Sequence, residues 1–180
     1  MEKRTVLFVD DEENVLSALR RGLQDEPYHT LLAHSAREAL EILVRSPVHV
    51  IVSDIRMPQM NGLELLRTVR ERFPRIIRMV LSGYVETATV LTAINQGEVF
   101  RFIPKPWKSN EEFKTTIRQA IEFYELHSER EMLMQFFELW VEGVEPDSIN
   151  IGFLQDLVAE RKKHLYEWRG QSGLAASTTP

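Results

Sequence analysis

Five residues are placed to do chemistry together. Asp10 and Asp11 lie in Phe8-Val9-Asp10-Asp11-Glu12-Glu13, Asp54 in Val52-Ser53-Asp54-Ile55-Arg56-Met57-Pro58, Ser82 in Leu81-Ser82-Gly83-Tyr84, and Lys105 in Phe102-Ile103-Pro104-Lys105-Pro106. Each ends or follows a short apolar run. Three carboxylates that converge repel one another and raise each other's pKa unless a cation joins them. Such a set implies a hard divalent ion, and Mg²⁺ suits two or three carboxylates that leave room for water and a phosphoryl group. Pro58 and the Asn61-Gly62 step form a turn that exposes the Asp54 carboxylate. Pro106 can hold the peptide before it in cis, at a cost of only about 0.5–1 kcal/mol, and so aim Lys105 back toward the acids.

To converge, these residues must sit at the carboxyl ends of neighbouring parallel strands, the usual ligand crevice of an open α/β sheet. The apolar, β-branched runs Thr5–Val9, His29–Ala33, Val48–Ser53, Ile76–Leu81 and Val99–Ile103 read as such strands, buried on both faces. Between them, apolar residues recur at helical spacing: Val15, Leu16, Leu19 and Leu23; Ala36, Ala39, Leu40 and Leu43; Leu63, Leu65, Leu66, Val69 and Phe73; Val90, Leu91 and Ile94. Strand and helix alternate, as in a parallel sheet covered on both faces. Ser35 with Glu38 marks a helix start, Pro47 and Pro74 follow helix ends, and Gly97 stands where a C-terminal glycine belongs.

Past Pro106 the strands stop. Ser109 or Asn110 can cap a helix running to about Glu142, with Phe123, Leu126, Arg130, Leu133, Phe137, Trp140 and Val144 in a 3–4 spacing. Its distal half must bury Leu133, Phe136, Phe137 and Trp140 against something other than the sheet. Gly143 and Pro146 break it, and Ile151, Leu154, Val158, Leu165 and Trp168 share a face of a second helix. The expected organisation is a domain over 1–125, a helical hairpin or coiled coil over 126–169, which a second copy of the chain would pair with, and a disordered tail over 170–180.

Composition narrows the function classes. Among 180 residues, 43% are hydrophobic and 27% charged, a globular balance. There is no cysteine, so disulfides, thiolate zinc sites and thiol nucleophiles are excluded. No run approaches the roughly 18 apolar residues of a membrane span and no signal peptide is evident, so a cytoplasmic location is expected. Residues 1–106 carry 14 Lys+Arg against 14 Asp+Glu; the remaining 8 and 13 lie in 107–180, which therefore holds the whole net charge of −5. An acidic tail is a poor DNA-binding arm, because binding DNA requires neutralising phosphates, and it points to a protein partner.

The acid pair in FVDDEE, the aspartate in SDIRMPQMNG, the pair in LSGY and the lysine in FIPKPW resemble the receiver domain of bacterial two-component response regulators, over residues 4–106. The stretch LSGYVETATVLTAINQGEVFRFIPKPW looks especially like receivers attached to cyclic-di-GMP phosphodiesterase domains. The resemblance implies a flavodoxin-like, doubly wound five-stranded parallel sheet of order 2-1-3-4-5, with the C-terminal helices as an extension. It makes Asp54 the phosphoacceptor, fed by a sensor histidine kinase or phosphotransfer protein. Asp10, Asp11, Asp54 and the backbone carbonyl of Arg56 would hold Mg²⁺, Lys105 would neutralise phosphoryl oxygens, Ser82 would bind the phosphate formed, and Phe102 would be the switch aromatic. Many receivers carry threonine at Ser82 and tyrosine at Phe102; phenylalanine leaves the switch to packing alone. The helix over Glu86–Asn95 with the fourth and fifth strands would be the output face.

Taken singly, these residues have plainer readings: Asp10-Asp11 as acids favoured at a helix N-terminus, Lys105 as a surface lysine, Ser82 as a turn residue, Phe102 as core. His127 and His164 read as exposed helical histidines, since no kinase glycine motif accompanies them. A Mg²⁺-dependent aspartyl-nucleophile phosphatase is the enzymatic alternative. It would carry a second acid where Arg56 stands, and a cap domain. A scaffold with a degenerate site is a third reading, although all five positions hold the expected residue types. After Trp107 there is neither a His-Asp dipeptide nor a downstream Gly-Tyr-Pro, so no phosphodiesterase output domain is expected in this chain, and beyond self-phosphorylation and autodephosphorylation at Asp54 the chain is not expected to be an enzyme.

Overall fold

The computed structural model describes residues 3–83, 92, 98–141, 152 and 159. Five parallel strands, β1 (Thr5–Val9), β2 (His29–Ala33), β3 (Val50–Asp54), β4 (Ile77–Ser82) and β5 (Arg101–Pro104), form one sheet in the order β2-β1-β3-β4-β5. The expected doubly wound order is therefore present. β1 lies between β2 and β3, with Leu7 opposite both Leu31 and Ile51. β3 and β4 pair Asp54 with Leu81, and β4 and β5 pair Ser82 with Pro104. The strands from β3 onward start one or two residues later than the apolar runs suggest. At the start of β3, His49 donates its N–H to the Thr5 carbonyl at 2.9 Å and accepts the Ile77 N–H at 3.0 Å, while its Nδ1 accepts the Thr5 N–H at 2.9 Å.

Among the described residues, four helices cover the sheet: α1 (Glu13–Gly22), α2 (Ala36–Arg45), α3 (Gly62–Arg72) and α4 (Asn110–Val141). Ser35 accepts the Glu38 N–H as the start of α2, and Glu38 in return accepts the His34 N–H. Asn61 and Glu64 make a reciprocal capping box on α3. For α4 the cap is Ser109, whose Oγ accepts the Glu112 N–H at 3.1 Å. Asn110 instead takes the Trp107 indole N–H.

Alternate residues of the central strands feed two cores, as the two-residue period of a strand requires. Leu7, Val9, Ile51 and Val80 pack with Ala36, Ala39 and Leu43 of α2 and Leu65, Leu66 and Val69 of α3. Val6, Phe8, Val50, Val52, Met79 and Leu81 pack with Leu16 and Leu19 of α1 and Phe113, Ile117 and Ala120 of α4. All five residues of β1 and of β3 are buried.

The chain divides into two compact units, Met1–Glu129 and Arg130–Pro180. In the first, α4 is held by ion pairs as well as by its apolar face. Arg118 donates from Nε and Nη2 to both carboxylate oxygens of the buried Glu26, at 2.9 and 2.8 Å, with Lys114 at 3.5 Å. Arg4 pairs with Glu125 at 3.0 Å. In the second, Leu133, Met134 and Phe137 of α4 are exposed. Most of the helix expected over Glu86–Asn95, the second C-terminal helix and the tail lie outside the described residues. Among the described residues, no helix is long and apolar enough to cross a membrane.

Candidate functional site

The carboxyl edge of the sheet gathers the predicted residues. Asp10 follows β1, Asp54 ends β3, Ser82 ends β4 and Lys105 follows β5. With β1 and β3 adjacent and β2 outside them, Asp10 and Asp54 flank the point where the strand order reverses, the place where open α/β sheets take ligands.

Lys105 joins the two acids. Its Nζ donates to Asp10 Oδ2 at 2.5 Å and to Asp54 Oδ1 at 2.6 Å. The Lys105 N–H donates to the Ser82 carbonyl at 2.8 Å and extends the sheet register, and the Lys105–Pro106 peptide is cis. The remaining oxygens are also engaged: Asp10 Oδ1 accepts the Glu12 N–H at 3.0 Å and Asp54 Oδ2 the Arg56 N–H at 2.7 Å.

Burial sets the electrostatics. Asp10 is completely buried, and this raises its pKa above the ordinary carboxylate value; the hydrogen bonds from Lys105 and Glu12 and the Lys105 charge offset part of the rise, and the Asp54 charge adds to it. Burial alone would lower the Lys105 pKa. The hydrogen bonds to Asp10 and Asp54 and their charges outweigh it, so the net shift is upward and the ammonium is retained.

Adjacent acids have opposite fates. Asp10 points inward and Asp11 is exposed, as expected where a chain leaves a strand. Among the described residues no three acids or histidines stand close enough together to form a metal cluster, and Asp10 and Asp54 meet at the Lys105 ammonium. The donor chemistry nevertheless fits a hard cation. The centre is lined by carboxylate oxygens, a positive charge already occupies it, and Asp11 adds a further carboxylate at the rim.

The loop after β3 is pinned from below. Ile55 and Met57 are buried in the core shared with α2 and α3, and Gln59 turns the chain with a left-handed φ of 70°. Gly62 opens α3 against the strand end. A Cβ there would lie 1.9 Å from the Asp54 carbonyl oxygen and 3.0 Å from Ser53 Oγ, so no other residue fits without movement. The Gly62 N–H bonds the Ile55 carbonyl at 2.8 Å, and Ser53 Oγ donates to the Asp54 carbonyl at 2.9 Å. Pattern reading identifies the Asn-Gly step as a turn but misses this close approach. An open groove of about 610 Å³ adjoins the loop, lined by Asp11, Arg56, Met57 and Asn61 among others.

Ser82 is buried, and its Oγ donates to the Gly83 carbonyl at 3.0 Å. Phe102 is half-buried against the core beneath α2 and α3, a face that also includes Val80 and Val99. The edge therefore brings Asp10, Asp54 and Lys105 into direct contact, keeps Ser82 beside them on β4, and leaves Asp11 and the Arg56 side chain exposed at the mouth.

A doubly wound five-stranded sheet with an acid–lysine cluster at its switch point defines a flavodoxin-like class of domain. Residues 6–118 match the response regulator receiver domain, and the chain belongs to that family. It is 44% identical over 121 residues to the hydrogenase transcriptional regulatory protein HoxA of Cupriavidus necator, covering 67% of this chain and 25% of that protein. It is 31% identical over 124 residues to the DNA-binding transcriptional regulator NtrC of Proteus hauseri, covering 69% and 26%. The receiver domain of an HD domain-containing protein from Pseudomonas fluorescens superposes with a TM-score of 0.65 at 32% identity, covering 69% of this chain and 98% of that one. The chain thus spans about a quarter of the length of these curated relatives. The match falls on a receiver and not on the phosphatase alternative, and receivers generally bind Mg²⁺ at the phosphorylation site.

Proposed function

We propose that Asp54 accepts a phosphoryl group from a histidine kinase or phosphotransfer protein, and that the resulting change in the β4–β5 face controls dimerisation or a protein partner in the cytoplasm. The observation that carries this reading is the Lys105 ammonium shared between Asp10 and Asp54 at 2.5 and 2.6 Å. An Asp54 oxygen attacks phosphorus, the bond from phosphorus to the donor atom breaks, and the bonding pair leaves with the donor. Lys105 neutralises charge on the phosphoryl oxygens, where a bound cation would supply a second positive charge. Asp10, Asp11, Asp54 and the Arg56 carbonyl would hold Mg²⁺, which when bound supplies that second positive charge. Ser82 supplies a hydroxyl for the phosphate formed. Phe102, with no hydroxyl of its own, follows by repacking.

In this reading residues 1–125 are the receiver and 126–169 the output element, with Leu133 and Phe137 in the surface that pairs with a second copy. The charge split, with −5 confined to 107–180, supports a protein partner over DNA for this chain. HoxA and NtrC are transcription regulators and one structural relative is an HD domain protein, so a receiver of this kind serves more than one output. A receiver serving a cyclic-di-GMP phosphodiesterase is the second reading, favoured by the sequence from Leu81 to Trp107.

The test is intact mass after incubation with acetyl phosphate and Mg²⁺. Wild type gains one phosphoryl mass and Asp54→Ala gains none; an equal adduct on the variant, or none on wild type, removes the assignment. For the output element, Leu133→Glu with Phe137→Glu in the full chain should abolish self-association in sedimentation, and an unchanged oligomeric state would remove the dimer.

A further inference from the structure

The amino end of the β4–β5 face holds buried charge that the phosphoacceptor reading does not use. Glu98, three residues ahead of β5, is 9% exposed. Its Oε1 accepts from Arg67 Nε of α3 at 2.9 Å, while its Oε2 is buried and has no hydrogen-bond partner among the described residues. A buried carboxylate oxygen left in that condition is costly and uncommon. Beside it stands Arg78, the second residue of β4. Its Nε donates to the Glu98 backbone carbonyl at 2.9 Å, and its Nη1 donates to the carbonyls of Ile76 at 2.8 Å and Pro74 at 3.3 Å; Nη2 takes no part in these bonds. The half-buried guanidinium thus rests on backbone carbonyls and on no carboxylate. Burial, and after it the Arg70 charge, lowers its pKa, the mark of a cation short of a counter-ion. An unpaired carboxylate oxygen and a spare guanidinium nitrogen therefore belong to two groups already joined through the Glu98 carbonyl. Arg67 keeps them apart. Its side chain is 54% exposed, and a pair so open to water is worth little, so holding Glu98 at Arg67 and turning it to Arg78 are close in free energy.

We propose that Glu98 is a two-position latch, held by Arg67 of α3 while Asp54 carries no phosphoryl group and passed to Arg78 of β4 once Asp54 is phosphorylated. The latch presupposes Asp54 as the phosphoacceptor and adds the ion pair whose exchange regulates that same site. Its place in the chain supplies the coupling. β5 is four residues long, with Glu98 ahead of it, Phe102 within it and Lys105 directly after it. The Phe100 N–H donates to the Arg78 carbonyl at 2.7 Å and the Lys105 N–H to the Ser82 carbonyl at 2.8 Å, so β4 and β5 are laced together from Arg78 to Ser82. A shift of so short a strand that lets Phe102 repack also moves its entry. Leaving Arg67 releases that entry from α3, and gaining Arg78 fastens it to β4. By linkage, a change that weakens the Arg67 pair favours the phosphorylated state, and one that weakens the Arg78 pair opposes it.

The experiment measures, by calorimetry, the equilibrium binding of beryllofluoride, a mimic of the phosphoryl group, to the full chain at saturating Mg²⁺. Arg67→Gln should tighten binding about threefold. Arg78→Lys keeps the charge but loses the fork that holds carbonyls and a carboxylate together, and should weaken binding by a similar factor. The opposite signs are the diagnostic, because an ion pair that only props up the fold would weaken binding in both variants. In a Glu98→Gln background, Arg67→Gln should change nothing, since the carboxylate that is exchanged has gone. Binding to Arg67→Gln no tighter than to wild type would overturn the proposal, and so would a tightening that persists in Glu98→Gln; these two results decide even where Arg78→Lys does not fold. No binding to wild type, or equal binding to Asp54→Ala, would instead overturn the phosphoacceptor reading, and the latch with it.

Discussion

Replacing Gly62 by alanine sets two physical effects against each other, and the sign of the result decides between them. By helix propensity alone, alanine at the first position of α3 should stabilise by up to about 1 kcal/mol. The structure requires the opposite. The added Cβ would stand 1.9 Å from the Asp54 carbonyl oxygen, where real Cβ atoms keep at least 3.0 Å, so strand end and helix start must separate by about 1.1 Å. The overlapping atoms, the oxygen and carbon of the Asp54 carbonyl, are backbone, and no side-chain rotation relieves the overlap. Overpacking of this kind costs about 1–3 kcal/mol, and weakening the Gly62-to-Ile55 bond adds about 1 kcal/mol. Set against the gain in helix propensity, the net expectation is about 1–3 kcal/mol of destabilisation, a large part of a typical 5–15 kcal/mol. Urea titration followed by circular dichroism measures it, with Gly22→Ala as the control. Gly22 ends α1 with no described atom within 4 Å of where the added methyl would stand, so that substitution should be neutral or mildly stabilising. A Gly62→Ala protein as stable as wild type, or more so, would refute the steric argument. The same separation displaces Asp54, so phosphorylation by acetyl phosphate should fall with stability.

Three further outcomes are expected. Lys105→Met leaves Asp10 and Asp54 facing each other without their cation; it should cost about 2–3 kcal/mol in urea titration, and millimolar Mg²⁺ should restore more stability to the variant than it adds to wild type. Glu26 titrates below its ordinary value of 4.5, chiefly because Arg118 hydrogen-bonds it, against the opposing effect of burial. Its contribution is therefore fully present above pH 4.5 and lost as pH falls through the lower folded value. Thermal melts of Glu26→Gln should lie about 5 °C below wild type at neutral pH and converge with it in acid; a gap that stays constant however far the pH is lowered would contradict this. Asn61→Ala removes the side-chain half of the α3 capping box and should cost about 1 kcal/mol, measured in the same titration.

The parallel sheet and the convergence of Asp10, Asp54 and Lys105 were legible from periodicity, whereas the strand order came from the resemblance to receivers. Buried parallel strands read as continuous apolar runs, and their ends share one edge whatever the details between. Helix starts were legible where a side chain marks them, as at Ser35; for α4 the pattern offered Ser109 or Asn110, and the hydrogen bond falls on Ser109. What remained hidden depends on distances that no residue pattern carries. Asn61-Gly62 reads as a turn, but the need for glycine comes from the Asp54 carbonyl, which is eight positions away in sequence and in contact in space. Asp10 and Asp11 look equivalent until the backbone leaves β1 and turns one in and one out. Glu26 sits in a polar stretch that reads as an ordinary loop, and only the approach of α4 makes it a buried ion-pair centre.

The ammonium between Asp10 and Asp54 also acts as a built-in competitor. Because it is tethered by four methylenes, its effective concentration at the two carboxylates is on the order of millimolar or higher, however dilute the protein. Free monovalent cations carry the same charge without the tether and gain nothing by exchange, so sodium or potassium leaves the crevice as it is. In the proposed function a divalent ion would gain about twice the Coulomb attraction of the ammonium, and the tether would keep the displaced ammonium in the crevice. One tethered lysine would thus hold the crevice against monovalent salts and yield it to a divalent ion.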